Sequence, residues 1–154
     1  MAISQEELIR EILSLMEIPL RERGYIFSKK NFLAWDFGFY KKLDIDLYVY
    51  IEFQPEGFSV DDIFDLAVNL IRSATRHLNL PEPPIHNNDP IIRFVNRLSP
   101  RIYIPGGKET DHWWHFLTIE DARSELQDIY EKLINFGIPH LEDPASKDIT
   151  FIKD

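Results

Sequence analysis

Residues 32–53 constrain the fold more than any other stretch, because they alternate with period two through two successive runs. In the first run Leu33, Trp35, Phe37 and Phe39 fall on one side, with Asp36, Gly38 and Tyr40 among those on the other. In the second, Leu43, Ile45, Leu47, Val49, Ile51 and Phe53 share a side, while Asp44, Asp46, Tyr48, Tyr50 and Glu52 face the opposite way. Such alternation marks strands with one buried face. Both apolar sets must reach the same side of the sheet, since a slip of one residue would turn one of them to water. A hairpin with Tyr40, Lys41 and Lys42 as its loop meets that condition. It pairs Phe39 with Leu43 and Phe37 with Ile45, and it sets Gly38 opposite Asp44 and Asp36 opposite Asp46. The outer face then carries a carboxylate cluster, continued by Tyr48, Tyr50 and Glu52.

The flanking chain supplies helices for the apolar face. Ser4 and Glu7 form a capping box, followed by Leu8, Ile9, Ile12, Leu13, Leu15 and Met16 at helical spacing. Pro19 is expected to kink or end this helix, with Leu20 to Arg23 able to continue it for one more turn, and Gly24 to cap it. Residues 25–28 read as a short strand that makes the hairpin a three-strand meander. Ser59 and Asp62 open a stretch in which Val60, Ile63, Phe64, Ala67, Leu70, Ile71, Ala74 and Leu78 recur at spacings of three and four. That spacing predicts a second helix over 59–78. Four prolines and three asparagines over 79–91 predict a long loop. Residues 91–98 fit either a strand or a short helix. Strands are expected at 101–104 and 113–117, and a last helix from Thr118 with Gly137 as its stop. Residues 149–152 could add an edge strand. The expected fold is a single α+β domain over 1–154: a mainly antiparallel sheet built on the 32–53 hairpin, with two or three helices packed on one face.

Composition narrows the function classes. There are 154 residues with 17 Lys+Arg against 26 Asp+Glu, a formal charge of −9. A surface of that sign repels phosphate backbones, so no nucleic-acid partner is expected. No cysteine is present, which excludes disulfides, thiolate metal sites and a cysteine nucleophile. No basic leader or membrane-length apolar run is apparent, and a cytoplasmic protein with no membrane partner is expected.

Candidate sites follow from the acidic face. Asp36, Asp44, Asp46, Tyr48, Tyr50 and Glu52 combine charge with flat aromatic area, a pairing suited to a basic protein partner. The leading expectation is a non-catalytic binding module, an inhibitor or immunity-type protein, that needs no cofactor. Against it stands the plain reading of a solvated acidic face relieved by Lys41 or Lys42. The alternative is a phosphotransfer enzyme. Asp44 and Asp46 lie two apart on a strand, about 7 Å from each other, and could hold Mg²⁺ with Asp36 opposite. The run from Asp44 to Leu47 resembles the paired-Asp strand of nucleotidyltransferases, although Gly38-Phe39 stands where that family has a Gly-Ser turn. In Asp111-His112-Trp113-Trp114-His115, the strand expected there would turn the two histidines to opposite faces, so they do not form a zinc pair. One Trp is expected in the core and the other over an edge.

The second half also carries a family resemblance. Asp111-His112-Trp113-Trp114, then a helix, then Gly137-Ile138-Pro139-His140-Leu141-Glu142 resembles the bacterial family catalogued as domain of unknown function 4304. There a Trp pair precedes the last helix and a Gly-x-Pro-x-Leu-Glu segment follows it. Gly24-Tyr25 after the first helix fits the same pattern. The resemblance implies an α+β fold and supplies no catalytic residues.

Overall fold

A computed structural model describes residues 3–29, 37–44, 47–56, 64–74, 92–108 and 111–143. The first helix, α1, spans Gln5–Glu22 and is followed by strands β1 (Ile26–Ser28), β2 (Phe37–Asp44), β3 (Leu47–Glu56), β4 (Phe64–Ala74) and β5 (Ile92–Arg97). A short helix α2 (Pro100–Tyr103), strand β6 (Trp114–Phe116), helix α3 (Ile119–Lys132), a π-helical turn (Leu133–Gly137) and helix α4 (Ile138–Glu142) complete the described elements. The sheet runs β1-β2-β3-β4-β5, with β6 also on β4, and every pairing is antiparallel. The fold is α+β, as expected.

The α1 cap forms as read: the Ser4 hydroxyl accepts from the Glu7 amide at 3.1 Å, and Glu7 reaches back to the Ser4 amide at 3.3 Å. Pro19 does not end the helix, which continues to Glu22. Gly24, at φ 92°, then turns the chain out of the helix in a conformation only glycine adopts without strain. The buried face of α1 is Leu8, Ile12, Met16 and Leu20. It packs with Leu126, Ile129 and Leu133 over one side of the sheet, against Phe37, Phe39, Val49, Ile51, Phe53, Leu66, Val68 and Leu70. Truncating any one of these large side chains to Ala typically costs 2–5 kcal/mol, roughly, through lost burial and a residual cavity.

The hairpin exists, but its register differs from the expected one. Phe37 pairs with Phe53, Phe39 with Ile51, Tyr40 with Tyr50 and Asp44 with Leu47. Tyr40, Lys41 and Lys42 therefore lie inside β2 and not in a loop. Lys41 explains the misreading. It occupies an inward position between Phe39 and Leu43, so the sequence looks interrupted there. In the fold its ammonium lies 3.4 Å from both oxygens of Glu142 and 5.4 Å from the centre of the Tyr25 ring. A paired lysine at the sheet margin keeps the strand intact.

The stretch expected to form a helix over 59–78 contains instead the eleven-residue strand β4, which pairs with β3 from Asp65 to Ala74 and with β5 and β6 on its other edge. A strand covered on both faces carries apolar residues in runs, and its spacings then imitate a helix. Leu66, Val68 and Leu70 point into the helix-covered core, while Ala67 and Ile71 are fully buried on the opposite side. The ambiguity at 91–98 resolves as strand β5. Residues 100–103 form a helical turn, not the expected strand, because Pro100 enters at the first turn with its φ already helical. Gly137 does not stop the last helix. Its φ is −65°, and Ile138 donates five residues back to Leu133. The widened turn sits directly before Pro139, which has no amide to give and would crowd the preceding carbonyls in a regular helix. The loop expected at 79–91 and the strand expected at 149–152 fall outside the described residues.

Candidate functional site

Burial overturns the outer face expected for the hairpin. Tyr48, Tyr50 and Glu52 do share one side of the sheet, but they are only 4%, 2% and 1% exposed. Tyr40 joins them, and the three phenol rings lie 6.3 Å apart in each pairing. Glu52 accepts from Asn69 Nδ2 at 2.9 Å; the same Nδ2 reaches Gln54 at 2.9 Å, and Arg97 lies 3.5 Å from Gln54. This side is a second, partly polar interior layer. The alternation correctly put these residues together but could not say whether anything covers them. Asp44 is exposed at the end of β2. Asp36 and Asp46 lie outside the described residues, so the carboxylate cluster and the Mg²⁺ alternative have Asp44 alone on a described strand. Among the described residues, no group of three or more His, Asp or Glu side chains is placed to hold a metal ion.

The arrangement that sequence reasoning missed lies at the other end of the sheet. The segment 112–115 and helix α3 enclose an open groove of about 310 Å³, lined by Tyr103, His112, Trp113, Trp114, His115, Glu125, Asp128 and Lys132. Strand alternation accounts for one wall. Trp114 and Phe116 are buried on β6, and His115 between them is exposed. His112 precedes the strand, so it does not follow the alternation, and both histidines line the groove. The other wall follows from helix geometry. Ala122, Leu126 and Ile129 take the buried stripe of α3, and Glu125, Asp128 and Lys132, at spacings of three and four, form the stripe beside it.

Polar contacts fix these side chains. The Trp114 indole donates to Asp128 at 2.9 Å, the partner a buried indole needs. Lys132 donates to both Asp128 oxygens at 2.6 Å, and its ammonium stands 4.9 Å from the centre of the Tyr103 ring. Trp113, half-buried, has the Arg97 guanidinium 5.0 Å from its ring and donates from its indole to Asp111 at 3.0 Å. Arg97 in turn pairs with Asp111 at 3.3 Å and donates to the His112 carbonyl at 3.2 Å. His115 Nδ1 lies 2.5 Å from Asp65 on the adjoining β4. One Trp is thus core and the other covers a margin, as expected.

The titration behaviour follows from these contacts. Burial would raise the Asp128 carboxyl, but the hydrogen bonds from Lys132 and Trp114 outweigh it and hold the group below its ordinary value. Burial, helped by the charge of Lys132, pushes the His112 imidazole below its ordinary value, which favours its neutral form. Burial and the nearby Asp128 push the Tyr103 phenol up to about 12. The groove therefore presents aromatic faces, the neutral imidazole of His112, the His115 ring, two carboxylates and the Lys132 ammonium. Asp128 is committed to Lys132 and Trp114, whereas Glu125 is in no ion pair among the described residues.

No curated protein and no solved structure matches the chain. The Trp pair stands at this groove, and residues 137–142 form the end of the π-helical turn and α4. The family model described as a domain of unknown function, DUF4304, matches residues 17–143, and the chain belongs to that family.

Proposed function

We propose that this protein is a non-catalytic binding module for a basic protein partner, an inhibitor or immunity-type protein in its finer form, and that it binds through the groove along β6 and α3. The observation that carries the reading is the open groove itself, in which Trp113 is half-buried and already held by Arg97 and Asp111. A fixed aromatic loses little conformational freedom on contact, and Trp is the residue most often found as an interface anchor. The formal charge of −9 supports a basic partner, because it would speed encounter and repel acidic competitors.

The test is affinity capture with immobilised protein, repeated with Trp113→Ser and Glu125→Lys combined. Both side chains stand at the groove and outside the sheet core, so the melting profile should stay within a few degrees of the parent. The parent is expected to retain a basic protein at low salt and release it as salt rises. The double variant is expected to lose it. Equal capture by both proteins would sink the reading.

A further inference from the structure

We infer that Gln54 and Asn69 are positioning residues for the groove: with Glu52 and Arg97 they form a polar row through the sheet that sets where Trp113 stands. The bearing on binding rests on the reading above, whereas the positioning is a property of the free protein.

The row follows from register. Glu52 of β3 pairs with Asn69 of β4, and Asn69 pairs with Arg97 at the end of β5. Directly paired residues turn their side chains to the same face, so these three stand side by side across three strands. Gln54, two residues beyond Glu52 on β3, shares that face. This is the side of the sheet away from the helices, and Glu52 and Asn69 are buried there. Polar groups so placed need partners. Asn69 Nδ2 has two protons to give, and two acceptors stand within reach: Glu52 Oε1 and Gln54 Oε1, both at 2.9 Å. Gln54 Oε1 has two lone pairs, and Arg97 Nη2 stands 3.5 Å from it. Inside a low-dielectric layer such a chain of bonds holds each member in one orientation, because a broken link leaves a buried group unpaired.

The Arg97 end of the row is where two stretches of chain meet. β5 and β6 lie on the same edge of β4; β5 ends with Arg97 opposite Asn69, and β6 begins with Trp114 opposite Leu66. Those two positions on β4 are three residues apart, or about 10 Å. Residues 111–113 lead into β6, and Arg97 fastens them. Its guanidinium donates to the His112 carbonyl at 3.2 Å, pairs with Asp111 at 3.3 Å and lies 5.0 Å from the Trp113 ring. The Arg97 side chain is 17% exposed and that of Asp111 79%. The exposed carboxylate is screened by water, so the inner contacts decide where the guanidinium sits. A planar fork held from behind presents its face and its remaining donors in one direction. Gln54 and Asn69 thus act on Trp113 through Arg97.

The test uses the full chain with Gln54→Met, which keeps the side-chain length at a half-buried position and removes the amide acceptor, beside Gln54→Glu, which keeps an acceptor toward Arg97. The indole and amide resonances of the free labelled protein are followed together with the melting temperature. In Gln54→Met the Trp113 indole and the His112 amide are expected to shift. The Trp114 indole, held by Asp128, is expected to stay, and melting to remain within a few degrees of the parent. In Gln54→Glu the Trp113 indole is expected near its parent position. Affinity capture repeated with Gln54→Met should release the retained basic protein at lower salt than the parent does. A Trp113 indole that stays in place in Gln54→Met would overturn the inference. So would a shift shared by Trp114 and accompanied by a general loss of stability, or unchanged salt release from a variant whose Trp113 has moved. If the parent retains no basic protein the binding reading falls, and the indole shifts still decide the positioning.

Discussion

Asp128 gathers more of the groove than any other single side chain. It accepts from Trp114 and Lys132, lowers its own pKa by doing so, and raises that of Tyr103. The carboxylate is 42% exposed, so the ion pair itself is screened and contributes little to stability. The larger effect is on Trp114, whose indole is in a side chain only 4% exposed. Asp128→Ala is expected to leave that N–H without its acceptor and to cost about 1–3 kcal/mol. Asp128→Asn keeps an acceptor at the same place and should cost less. Urea melts of the two variants check the order; equal losses would mean that the ion pair, not the indole bond, matters. Little of this was legible in the sequence. Asp128 and Lys132 stand at i and i+4, a spacing shared by any surface helix pair, and the Trp pair gave no hint of which helix would meet it. The contact is between residues far apart in the chain, and period and spacing carry no information about that. Lys41 and Glu142 failed to be read for the same reason.

Elements were legible where the two faces of each differ in polarity. Most of the described inward residues of α1, β2 and β3 lie in or against the core as read from their periods, and the capping box of α1 forms. β4 was misread because both of its faces carry apolar residues, Leu66, Val68 and Leu70 on one and Ala67 and Ile71 on the other, so its pattern lost the alternation that identifies a strand. α4 lies beyond the stop expected at Gly137. It persists because the sheet holds its end. Arg72, on β4 and only 9% exposed, donates from Nε to the Leu141 carbonyl at 2.8 Å and from Nη2 to those of His140 and Asp143. These are carbonyls that a helix C-terminus leaves without intrahelical donors, and a cation there also complements the helix dipole. His140 meets Asn96 of β5 at 2.8 Å, and Glu142 accepts from Tyr25 at 2.8 Å. A helix of five residues cannot stand alone, so these ties decide whether it forms. Arg72→Met keeps the length and apolar stem while removing the donors. It is expected to cost about 2–3 kcal/mol and to abolish amide protection over 138–142, with α1 and α3 protected as before. Hydrogen exchange distinguishes this local release from a global loss; uniform weakening would mean that Arg72 only fills space.

For the molecule as a whole, acid is the condition under which these contacts compete most directly. With a formal charge of −9, mild acidification relieves self-repulsion, and that general effect favours the folded chain. Two histidines oppose it. His112 is lowered chiefly by burial and then by Lys132, with His115 and Arg97 adding to the effect and Asp128 resisting it. His140 is lowered by burial and then by Arg72, with Asp143 resisting. Both folded values lie below the ordinary imidazole value of 6.5, so on acidification the unfolded chain takes up these protons first. Their contribution is therefore fully present above pH 6.5 and is lost as pH falls through the folded values. Asp128 has the same sign in a lower window: its contribution is present above 3.8 and lost as pH falls through its folded value. Salt separates the opposing effects, because it screens the diffuse repulsion and leaves buried groups nearly untouched. In about 0.2 M salt the urea midpoint is expected to fall between roughly pH 7.5 and 5.5, and the fall should shrink in His140→Gln, which cannot take up a proton at that position. A midpoint that holds steady or rises over this range would mean that neither imidazole is kept neutral by the fold. The contacts that define the groove and the clamp on α4 would then have to be weaker in solution than their geometry implies.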